Sequence, residues 1–440
     1  MNDKGNNGGI SRRTVLKAAG AAAAAGILQA PFVHAATREL RLLNDQTTAE
    51  SIKALKDAAA LYEKERGIKV IVDSVPSEEL YPRILAGIRG GKPYDLSTII
   101  FVAHMVSLAK EGQLTPVTHL INKYKWGKRI LFPLNGVHYY FPYAYALCWL
   151  YYRKDLYAQL KLEPATNWTQ YLENARKCMT DGASRRYGHT TPIGSNVATN
   201  WMTFGFMWAE GVTLFKDDWS LAIDSPQVRK QAAAYLDFMS ELHKLMPPGA
   251  TQFGFASAMQ QFGADQAAHA PYSGRMIEYL EQKAPNLADK YGIMPYPGST
   301  GPRRAVNHGY KGILVYKTEM AEESLRFLEW WQESQFINFL HTAPLNFQPA
   351  RLDIYDDPRW RADPLIKKHA EAVKTMRGYL TDDKLIIRSI DTEGPAPDIR
   401  PSKVFQSNVL AEMLQNRLLK NTPADACVDQ AVTRMREIIA

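Results

Sequence analysis

Between residues 39 and 102 the hydrophobic period of the chain switches repeatedly between that of a strand and that of a helix, and this restricts the fold more than any other feature. Glu39-Leu40-Arg41-Leu42-Leu43 reads as a short strand ending at Asn44-Asp45, and Thr47 with Glu50 has the spacing of a capping box. The helix that follows carries Ile52, Leu55, Ala59 and Tyr62 on one face and stops at Gly67. Ile68, Val70 and Val72 then share one side of a strand. A second helix, from about Ser77 to Arg89, ends in Gly90-Gly91, and Asp95 leads into an apolar strand over residues 96–102. This β-α-β-α-β order predicts an α/β fold with a parallel sheet and right-handed crossovers. Ligands of such sheets sit beyond the carboxyl ends of the strands. The loops at those ends are residues 44–48 and Ala103-His104, which makes Asp45 and His104 candidate ligand contacts; the alternatives are a helix cap for Asp45 and a solvated loop for His104.

The segment before this lobe reads as an export signal. Ser11-Arg12-Arg13-Thr14-Val15-Leu16-Lys17 precedes an uncharged, Ala-rich stretch over residues 18–33, and Val33-His34-Ala35 places small residues where a signal peptidase cuts. The paired arginines and weakly hydrophobic core form a twin-arginine pattern, so the twin-arginine translocase is an expected partner and the periplasm the expected location. No Cys follows the apolar stretch, which leaves no lipid attachment site. Cleavage near Ala35 removes four basic residues and one acidic, lowering the formal net charge from +8 to +5. A surplus that diffuse argues against a nucleic-acid partner; the densest basic run, residues 123–129, reads as a solvated loop rim. The mature chain has no further apolar run near 18 residues, so it is expected to be soluble. Three cysteines in 440 residues exclude a disulfide scaffold or a Cys-rich metal protein; Cys148, Cys178 and Cys427 permit at most one disulfide.

The 47 aromatic rings are unevenly placed. From Tyr143 the sequence alternates, with Tyr143, Tyr145, Leu147, Trp149 and Tyr151 on one face and Ala144, Ala146 and Cys148 on the other, which predicts one long strand. Most of its bulky face is expected in a core. Tyr143 and Tyr145, beside Pro142, are the cleft candidates.

Several segments now carry a family resemblance. Tyr62-Glu63-Lys64-Glu65 with Gly67-Ile68-Lys69-Val70, then Pro93-Tyr94-Asp95-Leu96, then Ala109-Lys110-Glu111-Gly112-Gln113-Leu114-Thr115-Pro116 resemble the extracellular solute-binding proteins of ABC importers, in their carbohydrate-binding, maltose/trehalose-type branch. Pro142-Tyr143-Ala144 with Leu150-Tyr151-Tyr152-Arg153 is similar to that family's hinge strand. Phe206-Met207-Trp208-Ala209-Glu210-Gly211-Val212-Thr213-Leu214-Phe215, Tyr272-Ser273-Gly274-Arg275, His308-Gly309-Tyr310-Lys311 and Leu345-Asn346-Phe347-Gln348-Pro349-Ala350-Arg351 follow in family order. Two departures stand out: Arg275 occupies the place where many sugar binders carry a Trp, and Val212 replaces the second Gly of a Gly-Gly pair.

The resemblance implies a two-lobe periplasmic-binding-protein fold with discontinuous lobes, a hinge and a ligand cleft, the lobes being residues 36–144 with 302–350 and residues 145–301 with 351–440. It implies a small-molecule solute and the permease subunits of an ABC transporter as partners, with the chain itself a monomer and no cofactor or metal. A pyranose has apolar C–H faces and a rim of hydroxyls, so aromatic platforms beside Asp, Asn, His and Arg suit it. Trp201 and Phe204 are expected to place rings on one side of a helix N-terminus, and Tyr272, Arg275 and Tyr310 come from segments the family uses at its cleft. Arg275 suits hydroxyls or, equally, a carboxylate or phosphate, so an anionic solute is the alternative ligand class. An exported enzyme is the rival function; the chain has no Cys-x-x-Cys, Gly-x-Gly-x-x-Gly, Gly-x-Ser-x-Gly, His-Glu-x-x-His or Walker motif. A ferric-ion binder using the tyrosines of residues 139–152 is the remaining one.

Overall fold

Leu40, Leu42 and Leu43 are all buried, which fixes the strand they belong to at the centre of a layered structure rather than at a surface. The computed structural model describes Met1, residues 39–182 and residues 185–440, so the signal reading lies outside the described residues but for Met1. Glu39–Ala440 forms one contact unit. Its strands are β1 (Glu39–Asn44), β2 (Lys69–Ser74), β3 (Leu96–Thr98), β4 (Tyr140–Tyr145), β5 (Trp149–Arg153) and β6 (His269–Tyr272). They continue as β7 (Tyr291–Met294), β8 (Tyr296–Pro297), β9 (Arg304–Asn307), β10 (Tyr310–Val315), β11 (Gln348–Pro349) and β12 (Leu385–Arg388).

The first lobe follows the alternation of its sequence. Strand β1 pairs in parallel with β2 and β3, and the helices α1 (Ala49–Arg66) and α2 (Ser77–Arg89) connect them. The α1 cap is Thr48 rather than Thr47: its hydroxyl accepts from Ser51 N at 3.3 Å, because the chain stays extended through Thr48. Gly67 ends α1 in the left-handed region at φ 70°, where a side chain would be strained. The apolar run 96–102 is not one strand. Only Leu96–Thr98 find partners on β1 and β10; past the end of β1 the backbone turns at residues 99–101 and enters α3 (Val102–Lys110), so His104 is helical.

The strands of the described residues form three sheets. The largest has the order β11-β4-β10-β3-β1-β2, with β10 antiparallel to both β3 and β4; the others are β6-β5-β7 and β12-β9-β8. The alternating segment from Tyr143 to Tyr151 is likewise two strands, β4 and β5, in different sheets. Between them Ala146 N donates to Gly309 O at 3.0 Å and Cys148 N to Asn307 O at 2.9 Å, so the backbone of the break is satisfied by a second chain passage at residues 307–309. Unbroken alternation could not reveal this, since both faces of the segment are buried.

One hydrophobic core surrounds the six-stranded sheet and takes in Trp149, Tyr151 and Met276; a second gathers Phe204, Phe206, Trp208, Tyr235 and the helix Ala424–Ile439. Trp149, Trp208, Trp331 and Trp360 are fully buried, each ring removing roughly 150–250 Å² from water. Cys148, Cys178 and Cys427 are all free and buried, so no disulfide links them.

Candidate functional site

The ends of the three sheets converge on a cavity of about 330 Å³. Ile99, Ile100 and Phe101 reach it from the carboxyl end of β3, Tyr310 and Lys311 from the start of β10, Tyr272 and Arg275 from the end of β6, and Ser389 and Asp391 from the turn after β12. Both chain passages between sheets border it, through Ala146 and through His308-Gly309. Its size is at the lower end of the roughly 300–1,000 Å³ typical of small-molecule sites.

One wall is aromatic. Trp201, in the helix Val197–Met202, meets Tyr272 edge-on with centroids 6.0 Å apart and planes at 90°, and Phe255 lies 5.8 Å away. Phe255 and Val197 remain 43% and 49% exposed, apolar surface that a ligand in the cavity would cover.

The opposite wall is polar. Tyr310 donates its hydroxyl proton to Asp391 Oδ2 at 2.5 Å and accepts from Val102 N at 2.8 Å, while Ser389 donates to Asp391 Oδ1. Burial pushes the Asp391 carboxyl above the usual carboxylate range despite these donors. Lys311 Nζ sits 2.9 Å from Asp45 Oδ2. Burial alone would raise the Asp45 pKa, but the Lys311 charge and donors from Lys311, Gln46 and Thr98 hold it below the ordinary value. Arg275 lies 3.8 Å from Glu278 Oε2, and Glu278 Oε1 accepts from Leu345 N and Asn346 N, both at 3.0 Å. Burial raises the Glu278 pKa, against the opposing pull of Arg275.

Of the residues read from the sequence, Trp201, Tyr272, Arg275 and Tyr310 reach the cavity. Asp45 stands behind Lys311, and His104 stands behind Phe101, stacked on Tyr81 at 3.7 Å; burial depresses its pKa to about 4. Tyr143 and Tyr145 do not line the cavity. Tyr143 packs among Trp331, Phe339 and Phe347, and Tyr145 donates to Lys128 O at 2.7 Å, because β4 lies inside the large sheet with both faces covered. Phe204 is in the second core against Trp208 and Tyr235. The helix carrying Trp201 ends at Met202 and a new one starts at Gly205, so the three-residue spacing does not lie along one helix face.

Sequence reasoning missed Asp391, Ser389, Lys311 and Phe255. Asp391 had a usable signal: it follows the apolar residues of β12 just as Asp45 follows β1. Phe255 had none. Among the described residues no group of three or more His, Cys, Asp or Glu is arranged to hold a metal ion. Of the adjacent acids Asp356 and Asp357, the first binds Arg361 and Arg377 and the second caps the helix Pro358–Arg361.

A cavity bordered by both chain passages of a discontinuous α/β fold leaves the family to be decided by comparison, and the family model for bacterial extracellular solute-binding proteins matches residues 45–335. The chain belongs to that family. This solute-binding protein is 22% identical over 396 residues to the arabinooligosaccharide-binding protein of Halalkalibacterium halodurans, which covers 86% of this chain and 85% of the relative. Its fold matches an ABC transporter solute-binding protein of Thermotoga lettingae bound to alpha-D-tagatose (TM-score 0.70, 20% identity, 92% of this chain and all of that one). It also matches a sugar transporter protein of Arthrobacter chlorophenolicus with bound laminaribiose (TM-score 0.71, 17% identity, 91% of this chain and all of that one). Among its described residues, no helix of the solute-binding protein is long and apolar enough to cross a membrane.

Proposed function

We propose that this solute-binding protein is the periplasmic receptor of an ABC importer for a neutral carbohydrate or polyol. The observation that carries the reading is the pairing of an aromatic wall with a hydroxyl- and carboxylate-bearing wall across one small cavity. Trp201, Tyr272 and Phe255 suit the C–H faces of a sugar ring, and Asp391, Lys311, Arg275 and Asn346 suit its hydroxyl rim. Charge balance favours a neutral ligand. Each cation at the cavity has its own carboxylate, Asp45 for Lys311 and Glu278 for Arg275, and Asp391 adds a third acid, so a bound anion would meet no surplus of positive charge. The volume suits one or two sugar rings, in keeping with the small sugars in the related structures.

On this reading two lobes close over the solute, and the chain passages at residues 146–148 and 308–309 act as the hinge. Ligand contacts to both lobes favour the closed form, which a membrane permease then receives. The signal of residues 1–35 delivers the folded receptor through the twin-arginine translocase.

A second reading, an anionic solute such as a sugar acid, is favoured by the partly exposed Arg275, whose nearest carboxylate oxygen is 3.8 Å away. Melting temperature and calorimetry with a panel of ketohexoses, glucosides, arabino-oligosaccharides, polyols and sugar acids test both. Saturable stabilisation by a neutral member supports the proposal. Binding confined to acids, abolished by Arg275→Gln, transfers it to the second reading, and silence across the panel removes both.

A further inference from the structure

Beyond Met1, the large apolar side chains that stand exposed among the described residues are Leu160, Val197, Phe255 and Leu419, and Val197 and Phe255 both border the cleft. Each is the first residue of a helix, Val197–Met202 and Phe255–Gly263, where a polar side chain would serve the helix as well. The turns that carry them are tied together. Asn196 Oδ1 caps the first helix through Thr199 N at 3.0 Å, Asn196 Nδ2 donates to Phe253 O at 3.1 Å, and Ile193 N donates to Ala250 O at 3.1 Å. Val197 and Phe255 are therefore presented to the cavity from one fixed frame.

The apolar character continues around the accessible part of the lining. Ile100 and Phe101, from the end of β3, and Trp201 are half-buried there, with Phe101 against Phe405 at 5.2 Å. The polar groups of the lining are largely paired with one another. Tyr310 and Ser389 donate to Asp391, Ser273 donates to Asn346 Oδ1 at 2.8 Å, and Lys311 and Ser77 meet one carboxylate, Asp45, at 2.9 and 3.4 Å. Arg275, Lys311 and Asp391 keep donors and acceptors for the hydroxyls of one sugar ring. A second sugar ring would set its hydroxyls against Val197, Phe255 and Phe101, and a hydroxyl taken from water without a partner is a net cost.

We propose that the solute of this cleft is an aryl glycoside, one sugar unit joined to an aromatic aglycone. The inference rests on the carbohydrate reading of the cleft and narrows it. Trp201 and Tyr272 give the sugar its platform, and Val197, Phe255 and Phe101 cover the aglycone. The cavity of about 330 Å³ then holds two rings, of which only one needs hydroxyl partners. Burial of the exposed apolar side chains supplies affinity that a plain sugar cannot collect.

Calorimetry on the purified protein tests this with glucose, galactose, xylose and arabinose, each as the free sugar, the methyl glycoside and the phenyl glycoside in both anomers. Maltose and cellobiose supply two sugar rings, and benzyl alcohol supplies the aromatic ring alone. The phenyl glycoside of at least one sugar should bind at least tenfold tighter than its methyl glycoside and than either disaccharide, with benzyl alcohol far weaker. The V197S/F255S double variant changes exposed side chains; it should melt with the wild type and lower the phenyl-over-methyl affinity ratio at least fivefold. A free sugar or disaccharide that binds as tightly as the phenyl glycosides overturns the aryl-glycoside proposal and leaves the carbohydrate reading standing. A ratio unchanged in the double variant overturns it as well. Silence across all the carbohydrates, or benzyl alcohol matching the glycosides, removes both.

Discussion

The Tyr310 hydroxyl lies 2.5 Å from Asp391 Oδ2 and 2.8 Å from Val102 N, so one phenol on β10 joins the start of α3 to the turn after β12 at the wall of the cleft. Removing it leaves two groups short at once. The buried carboxylate keeps only Ser389 as a side-chain donor, and the first amide of α3 loses its acceptor.

Tyr310→Phe should therefore cost about 1.5–3 kcal/mol in urea unfolding at neutral pH, the scale of a hydrogen bond to a charged group. Solute affinity should fall with it. An unchanged stability would show that neither Asp391 nor the Val102 amide depends on the phenol.

Lys311→Met removes the partner of a carboxylate that has almost no exposure, and about 3–5 kcal/mol of stability should go with it. The Asp45 pKa is depressed in the folded protein, so this contribution is present above the unfolded value of about 3.9 and is lost as pH falls through the folded one. The Lys311→Met deficit, measured by urea unfolding, should thus be large at pH 7 and shrink towards pH 3.

Burial holds His269 down to about 4 and His308 down to about 3. Below about pH 6.5 the unfolded chain takes up protons that the folded chain refuses, so stability is full above that pH and declines beneath it. Each histidine contributes a slope of about 1.4 kcal/mol per pH unit between about 6.5 and its folded pKa. Unfolding free energies measured from pH 7 to 4.5 should show the decline, and His269→Gln should flatten it by one histidine's share.

Gly274 approaches Leu345 so closely that a Cβ would lie 1.6 Å from the Leu345 carbonyl oxygen. Gly274→Ala must move the backbone that carries Arg275 or the segment anchored by Glu278. A loss of solute binding with a marked fall in melting temperature is expected. Gly67→Ala supplies the contrast: its Cβ meets nothing within 4 Å, and only the φ of 70° is strained, at a cost of about 1–2 kcal/mol with binding intact.

Trp201 is only partly buried and borders the cavity beside Tyr272. Trp201→Ala should weaken the solute found in the panel at least tenfold while lowering the melting temperature of the unliganded protein little. Equal losses in both measurements would make Trp201 a packing residue.

The sequence by itself determined the kinds of elements and much of their order. The period switch between residues 39 and 89 specified β1, α1, β2 and α2, Gly67 stopped α1 where the left-handed region was needed, and the quoted segments placed the chain in its family. These are local properties, set by neighbours three or four residues away. Tertiary structure alone decided what each strand pairs with. Residues 143–151 alternate without interruption, yet they divide between two sheets because a distant passage at residues 307–309 satisfies the backbone of their break. The same long-range pairing buries Tyr143 and Tyr145, turns His104 into a helix, and brings Asp391 to within a hydrogen bond of Tyr310 across 81 residues of chain. A side chain's period tells which face it lies on, but only the partner packed there decides whether that face is core or cleft.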